Sequence, residues 1–170
     1  MEKPATVYLS LGSNMGNRPW NLILAISLLD RYGVNMAKAS LVYETEPWGV
    51  KNQSNYLNMA IKALTTYDPM SLLSLNKYIE KLMGRRGNHW EPRPIDIDIL
   101  LYDDIVFQSE VLSIPHLLML KRLFVLKPLC DIAPSLLIPG TSATVEEALS
   151  RCEDHLWVQC LGRLHNLKIC

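Results

Sequence analysis

Asp96 and Asp98 are the residues of this sequence best placed to do chemistry. They alternate with Ile95, Ile97 and Ile99 in the segment RPIDIDILLY, residues 93–102. In an extended strand, residues two apart point the same way and lie about 6.5–7 Å apart. The two carboxylates therefore share one face and the isoleucines the other. Carboxylates that close repel unless positive charge sits between them. A hard divalent cation such as magnesium meets that need and keeps ligand positions open for phosphate oxygens. Taken alone, the alternation reads first as a half-buried strand with one solvated face. Its surroundings shift the reading toward chemistry. Arg85, Arg86, Arg93, His89 and Trp90 crowd the stretch just upstream. Guanidinium groups grip phosphate oxygens in a fixed fork geometry. Pro92 and Pro94 restrict the backbone on either side of Arg93. Acidic residues for a metal, flanked by arginines, are the parts of a phosphoryl-transfer site.

No glycine-rich phosphate cradle accompanies them. LGSNMGNR and GVKNQSN both lack the G-K-[ST] ending of a P-loop. GSNMGN reads as a tight turn before a helix. Any nucleotide must then be held by side chains and metal.

The elements that carry these residues follow from periodicity. TVYLSL (6–11) is a strand. A helix follows, capped by Asn17, with Pro19 in its first turn and Gly33 at its end; Trp20, Ile23, Leu24, Ser27 and Leu28 make its stripe. ASLVYET (39–45) is a second strand, and residues 46–55 form a loop longer than the usual connection of about 4–6 residues. YLNMAIKAL (56–64) sets Leu57, Met59, Ile61 and Ala63 on one face and Tyr56, Asn58, Ala60 and Lys62 on the other. A helix opens at Asp68-Pro69 and closes at Gly84, with Leu72, Leu75, Ile79, Leu82 and Met83 as its stripe. A basic loop, 85–94, leads into the IDIDILLY strand. Asp103-Asp104 then turn the chain so that IVF returns as a hairpin partner. IPHLLMLKRLFVLKPL is helical until Pro128, Thr144 with Glu146 and Glu147 starts a last helix, and LWVQCLG is a last strand. The order β-α-β-β-α-β predicts an α+β, ferredoxin-like fold. It implies a mostly antiparallel sheet with helices packed on one side and the two long loops on the other.

Composition bounds the rest. The 170 residues suit a single domain spanning 1–170. Acids and bases balance at 17 each, which argues against nucleic acid as the main partner. No apolar run approaches the ~20 residues of a membrane helix. The N-terminal MEKPATVYLS lacks the long apolar core of a signal peptide. Cys130, Cys152, Cys160 and Cys170 are scattered without metal-type spacing, which reads as free thiols in a reducing cytoplasm.

A set of blocks is more specific than any of these features. LSLGSNMGNR, YETEPWG followed by NYLN, IEKLMGR, WEPRPIDIDILLY, IPH and RLFVLKPLCDIAP occur in order from about residue 6 to 139. In that order and spacing the chain resembles the 6-hydroxymethyl-7,8-dihydropterin pyrophosphokinase family. The resemblance implies transfer of pyrophosphate from ATP to the pterin hydroxymethyl group, with release of AMP, by a cytoplasmic monomer. It implies that Asp96 and Asp98 hold two Mg2+ ions and that Arg85 and Arg93 act on the phosphates as catalytic residues. Lys77, Glu80, Trp90, Ile99, His116 and Arg122 complete the implied ATP site. Tyr56 and Phe124 would stack on the pterin, with Asn58, Thr45, Pro47 and Trp48 reading its edge. The chain departs from the family pattern at Glu46, His89, Glu91 and Leu117. Two other readings share the carboxylates or the fold: a two-metal phosphohydrolase, and a non-catalytic ferredoxin-like binding module.

Overall fold

A computed structural model describes residues 3–49, 52–86 and 91–167. Its central element is a six-stranded antiparallel sheet built from β1 (Ala5–Ser13), β2 (Val34–Ala39), β3 (Val42–Thr45), β4 (Tyr56–Thr65), β5 (Asp96–Tyr102) and β8 (Val158–Gly162). The strands run in the order β5-β1-β4-β3-β8, and β2 pairs the other half of β4. The helices are α1 (Arg18–Arg31), α2 (Pro69–Leu82), α3 (Leu123–Ile132) and α4 (Val145–Ser150). A separate two-stranded ribbon joins β6 (Phe107–Gln108) to β7 (Ser113–Ile114).

The β-α-β-β-α-β order expected from the sequence is present, with one strand divided. The second strand is two pieces that lie end to end along β4. β2 covers it from Thr65 to Ile61, and β3 covers it from Asn58 to Tyr56. Ser40 fills the break: its hydroxyl accepts from the Ala60 N–H and donates to the Leu41 carbonyl. This keeps the backbone of β4 satisfied where its partner strand bends.

Helices pack on both faces, which corrects the one-sided arrangement expected above. One face carries Val7, Leu9, Leu11, Leu57, Met59, Ile61, Ile97 and Ile99 against Leu22, Ala25 and Leu29 of α1 and Leu72 and Ile79 of α2. The other carries Tyr8, Ala60 and Leu100 against Val125, Leu126 and Leu129 of α3 and Val145 of α4. Each fully buried Leu or Ile contributes roughly 1.5–3 kcal/mol. α3 covers only part of the second face. The uncovered part presents Ser10, Gly12, Tyr56, Asn58, Asp96 and Asp98 to a cavity.

Local signals at the helix starts are borne out. Asn17 Oδ1 accepts from the Trp20 N–H, and Asp68 accepts from Met70 and Ser71. Thr144 and Glu147 close a capping box. Other local expectations need correction. α1 buries Leu22, Ala25 and Leu29, while Trp20 and Ser27 are exposed. Residues 22–29 are apolar almost all round, so the periodicity admits two stripes and packing selects one. Leu82 is likewise exposed, and the buried side of α2 instead includes Asn76 and Glu80. The 105–107 segment pairs β7, not β5. Between 114 and 122 the chain forms a short strand and a 3₁₀ turn (Met119–Lys121) before α3 begins, and α3 continues through Pro128. Pro128 removes one helical N–H, but burial of Val125, Leu126, Leu129 and Ile132 around it offsets the lost bond.

Candidate active site

Strand register places the acidic pair. Gly12 on β1 lies opposite Asp96 on one side and Asn58 on the other; Ser10, two residues back, lies opposite Asp98 and Ala60. A single row across the sheet therefore runs Asp96, Gly12, Asn58, Tyr43. Ser10, Gly12, Asn58, Asp96 and Asp98 of that face border a cavity of about 560 Å³. That volume fits a site for small ligands.

At the β5 end the cavity is strongly charged. Arg85 Nη1 donates to Asp96 Oδ1 at 2.6 Å and also to Glu80. Arg93 Nη1 donates to the other Asp96 oxygen at 3.2 Å. Glu80 is almost wholly buried and accepts from the Ile97 N–H at 2.8 Å and from Lys77 Nζ at 3.0 Å. Burial alone would raise the Asp96 carboxyl; the charges of Arg85 and Arg93 outweigh it and hold it below the usual range. Asp98 behaves oppositely. Burial, then the Asp96 charge, push it up to about 6. Among the described residues no ion pair or hydrogen bond reaches the Asp98 carboxylate. The nearby charges of Lys77, Arg122 and Arg85 offset only part of that rise.

His116 and Arg122 border the same space from the 3₁₀ turn. The Leu118 N–H donates to His116 Nδ1, which leaves the ring proton on Nε2. Burial, then the Arg122 charge, lower its pKa to about 4, so at neutral pH it is an uncharged donor. Arg122 lies 4.7 Å from the centre of the Trp48 ring and 5.7 Å from that of Phe124. Both contacts are cation–π in geometry.

At the β3–β4 end the cavity is largely aromatic. Tyr56, Phe124, Trp48 and Pro47 line it. Asn58 Nδ2 donates to Thr45 Oγ1 at 2.7 Å, and both side chains are buried. With its nitrogen engaged, the amide presents its oxygen to the cavity as an acceptor.

Of the residues singled out from the sequence, Thr45, Pro47, Trp48, Tyr56, Asn58, Lys77, Arg85, Arg93, Asp96, Asp98, His116, Arg122 and Phe124 line this one cavity. Glu80 sits behind it and holds Arg85. Trp90 and His89 lie outside the described residues. Ile99 is a correction for a side-chain contact. It is buried on the opposite face, in the core with α1 and α2, because odd positions of β5 point away from the carboxylates. Asp96 and Asp98 also face the cavity rather than an open solvated surface.

Sequence reading missed two contributors in GSNMGN. The stretch is not simply a turn, since Gly12 and Ser13 belong to β1. Asn14 accepts from the Arg93 N–H at 2.8 Å, its own N–H donates to the Arg93 carbonyl, and its Nδ2 donates to Gln53 at 3.1 Å. One buried asparagine thus ties the end of the 85–94 loop to the 46–55 loop. The signal was an Asn at a strand end, able to donate and accept at once.

The family described as 7,8-dihydro-6-hydroxymethylpterin-pyrophosphokinase (HPPK) matches residues 8–134. The chain belongs to this family. Relatives bear the HPPK assignment out. The chain is 45% identical over 136 residues to a 2-amino-4-hydroxy-6-hydroxymethyldihydropteridine pyrophosphokinase of Aquifex aeolicus, covering 79% of this chain and 84% of that protein. It is 41% identical over 142 residues to the enzyme of the same name from Bacillus subtilis, covering 82% and 85%. It is 42% identical over 151 residues to the folic acid synthesis protein fol1 of Schizosaccharomyces pombe, covering 88% of this chain but 21% of that longer protein. A crystal structure of Plasmodium falciparum HPPK-DHPS wild type with STZ-DHP shares the fold, with a TM-score of 0.73 at 19% identity, over 87% of this chain and 43% of that one. The HPPK chain described here therefore spans most of the bacterial relatives and less than half of the fission yeast and Plasmodium chains.

Proposed function

We infer that this cavity is where the chain transfers pyrophosphate from ATP to the hydroxymethyl group of 6-hydroxymethyl-7,8-dihydropterin, releasing AMP, in folate synthesis. The observation that carries the site is a shared sheet face with two carboxylates and two arginines at one end and a buried amide beside aromatic rings at the other. One end suits phosphates and the other a flat heterocycle.

The acidic pair fits magnesium on its chemistry. Both donors are hard oxygens, and among the described residues Asp98 is a partly buried carboxylate with cationic side chains nearby but none in ion-pair contact. Asp96 and Asp98 would hold the metal, two ions in our reading. When bound, Mg2+ neutralises the triphosphate and polarises its β-phosphorus oxygens. The remaining roles fall to this chain's residues. Arg85 and Arg93 already converge on Asp96 and are positioned to turn toward phosphate oxygens. There they would stabilise charge as the bond between the α and β phosphates breaks. The substrate hydroxyl oxygen forms the new bond to the β-phosphorus, its proton is released, and AMP departs with the bridging oxygen. His116 Nε2–H and Arg122 would donate to phosphate oxygens, and Lys77 would add charge at the mouth. Tyr56 and Phe124 would stack on the pterin. Asn58 Oδ1 would accept from an N–H on its edge, with Thr45 holding the amide and Pro47 and Trp48 closing the side. Such catalysis is chiefly positioning and electrostatics.

Among the described residues no helix is long and apolar enough to cross a membrane. Our reading is of a single-domain cytoplasmic monomer.

A coupled assay tests the reading. AMP should form only when hydroxymethyl-dihydropterin, ATP and Mg2+ are all present. Pterin-independent release of ADP or phosphate would mark a phosphohydrolase. Ligand binding without turnover would mark a binding module. Phe124→Ala should weaken pterin by about 1–2 kcal/mol, roughly 5–30-fold, and the ATP analogue by less than about threefold. Calorimetry that finds equal losses for both ligands would remove Phe124 from the pterin site.

A further inference from the structure

Gly12 is the penultimate residue of β1, paired on both sides, with Asp96 on β5 and Asn58 on β4, and its φ is not positive. It costs about 0.5–1 kcal/mol there relative to alanine. A glycine at such a place marks a close approach by something else. The row Asp96, Gly12, Asn58 says what approaches. A Cβ on Gly12 would stand 2.8 Å from Asn58 Oδ1 and 3.6 Å from Tyr56 Cδ1. Real Cβ atoms do not come within 3.0 Å of a neighbour, so the Asn58 amide oxygen would have to move. That oxygen is the acceptor left over when Asn58 Nδ2 donates to Thr45 Oγ1. The atom at stake is the end of a side chain, so moving it costs the fold little. For recognition it is expensive, because the displaced atom is the acceptor that reads the ligand edge.

We propose that Gly12 is a positioning and specificity-determining residue. Its missing side chain keeps the Asn58 amide oxygen aimed into the cavity. The β1 backbone at Gly12 borders the row from Asn58 to Asp96, along which a short arm on a flat heterocycle reaches the phosphate end. The ligand class is a planar N–H donor heterocycle carrying a one-carbon alcohol arm. This rests on the reading of the cavity given above. It adds that register, not only side-chain identity, sets which arm length the site accepts. A longer or branched arm meets the β1 backbone.

The test is a double-mutant cycle on the full chain with Gly12→Ala, Asn58→Ala and the double variant, read as steady-state KM and kcat and as calorimetric binding of hydroxymethyl-dihydropterin and of a non-hydrolysable ATP analogue with Mg2+. Gly12→Ala should raise the KM for pterin at least tenfold, with affinity for the ATP analogue changed less than twofold. In the Asn58→Ala background the same change should cost less than twofold, because the oxygen it displaces is gone. Equal additive losses in both backgrounds, or equal weakening of both ligands, would overturn the proposal. If Gly12→Ala alone does not fold, a double variant that folds and binds pterin like Asn58→Ala supports it. A double variant that is also unfolded overturns it, since the added Cβ then meets something other than Asn58. A wild-type chain without pterin-dependent AMP release would instead defeat the underlying functional reading and would be seen before any variant is made.

Discussion

Asp98→Asn is expected to cut turnover by about three orders of magnitude while making the ligand-free protein more stable at pH 7.5. The two effects have one origin. Burial and the neighbouring Asp96 charge raise the Asp98 carboxyl from 3.8 to about 6. A raised folded-state value means that the folded chain binds the proton more tightly than the unfolded chain. The ionised form therefore subtracts stability. The penalty is fully present above about pH 6, is relieved as pH falls through that value, and is gone below the unfolded value of 3.8. The neutral amide of Asn removes it at all pH values. Because Asp96 shares the interaction, a gain on the order of 2 kcal/mol is expected at pH 7.5, shrinking toward pH 4. Denaturant unfolding of both proteins at several pH values measures this directly. The same carboxylate must be ionised to hold a cation. Wild-type kcat/KM, which reports the free enzyme, should thus fall as pH drops through about 6, and adding Mg2+ with an ATP analogue should stabilise the wild type but not the variant. A variant of unchanged turnover, or one less stable than wild type at pH 7.5, would show that Asp98 is a structural residue.

Glu80→Ala should have the largest structural cost of any single change near the site. Glu80 is 1% exposed and joins three groups: the Ile97 N–H of β5, Lys77 on its own helix, and Arg85 at the start of the basic loop. Truncation leaves a buried backbone donor without its acceptor and frees Arg85 from one tether. The expected loss is about 2–4 kcal/mol of stability. Turnover should fall roughly 100-fold, because Arg85 loses one of its two carboxylate anchors and keeps only Asp96. Glu80→Gln separates the two roles. Its amide oxygen still accepts from Ile97, so most of the stability should return. It carries no charge for Arg85, so the KM for ATP should stay raised. If Glu80→Gln restores activity fully, the ion pair has no part in positioning Arg85. If Glu80→Ala is as stable as wild type, the Ile97 N–H has found another partner.

Much of this site was legible before any coordinates. Alternation in IDIDILLY placed Asp96 and Asp98 together, and alternation in YLNMAIKAL placed Tyr56 with Asn58. Both survive in the structure because a strand's two-residue period leaves no freedom about which residues share a face. Asn17, Asp68 and Thr144 were readable as helix caps, since capping is settled within four residues. The ordered blocks carried the family. Less was readable where two local patterns competed. The apolar run in α1 offered two stripes. The 114–128 stretch had helical composition, yet its first half became a strand and a 3₁₀ turn.

The residue types and their spacing determined the chemistry: two carboxylates on one strand, basic groups upstream, aromatics and an amide on another. Tertiary structure alone decided that α3 covers only part of the second sheet face and leaves the rest as a cavity. It also decided that Arg85 bridges Glu80 and Asp96, that Asn14 ties two loops, and that Gly12 separates the acidic end from the amide end. The physical reason is range. Faces and caps are fixed by neighbours a few residues away, whereas these features join positions such as Asn14 and Arg93, or Gly12, Asn58 and Asp96, that meet only through the register of the folded sheet.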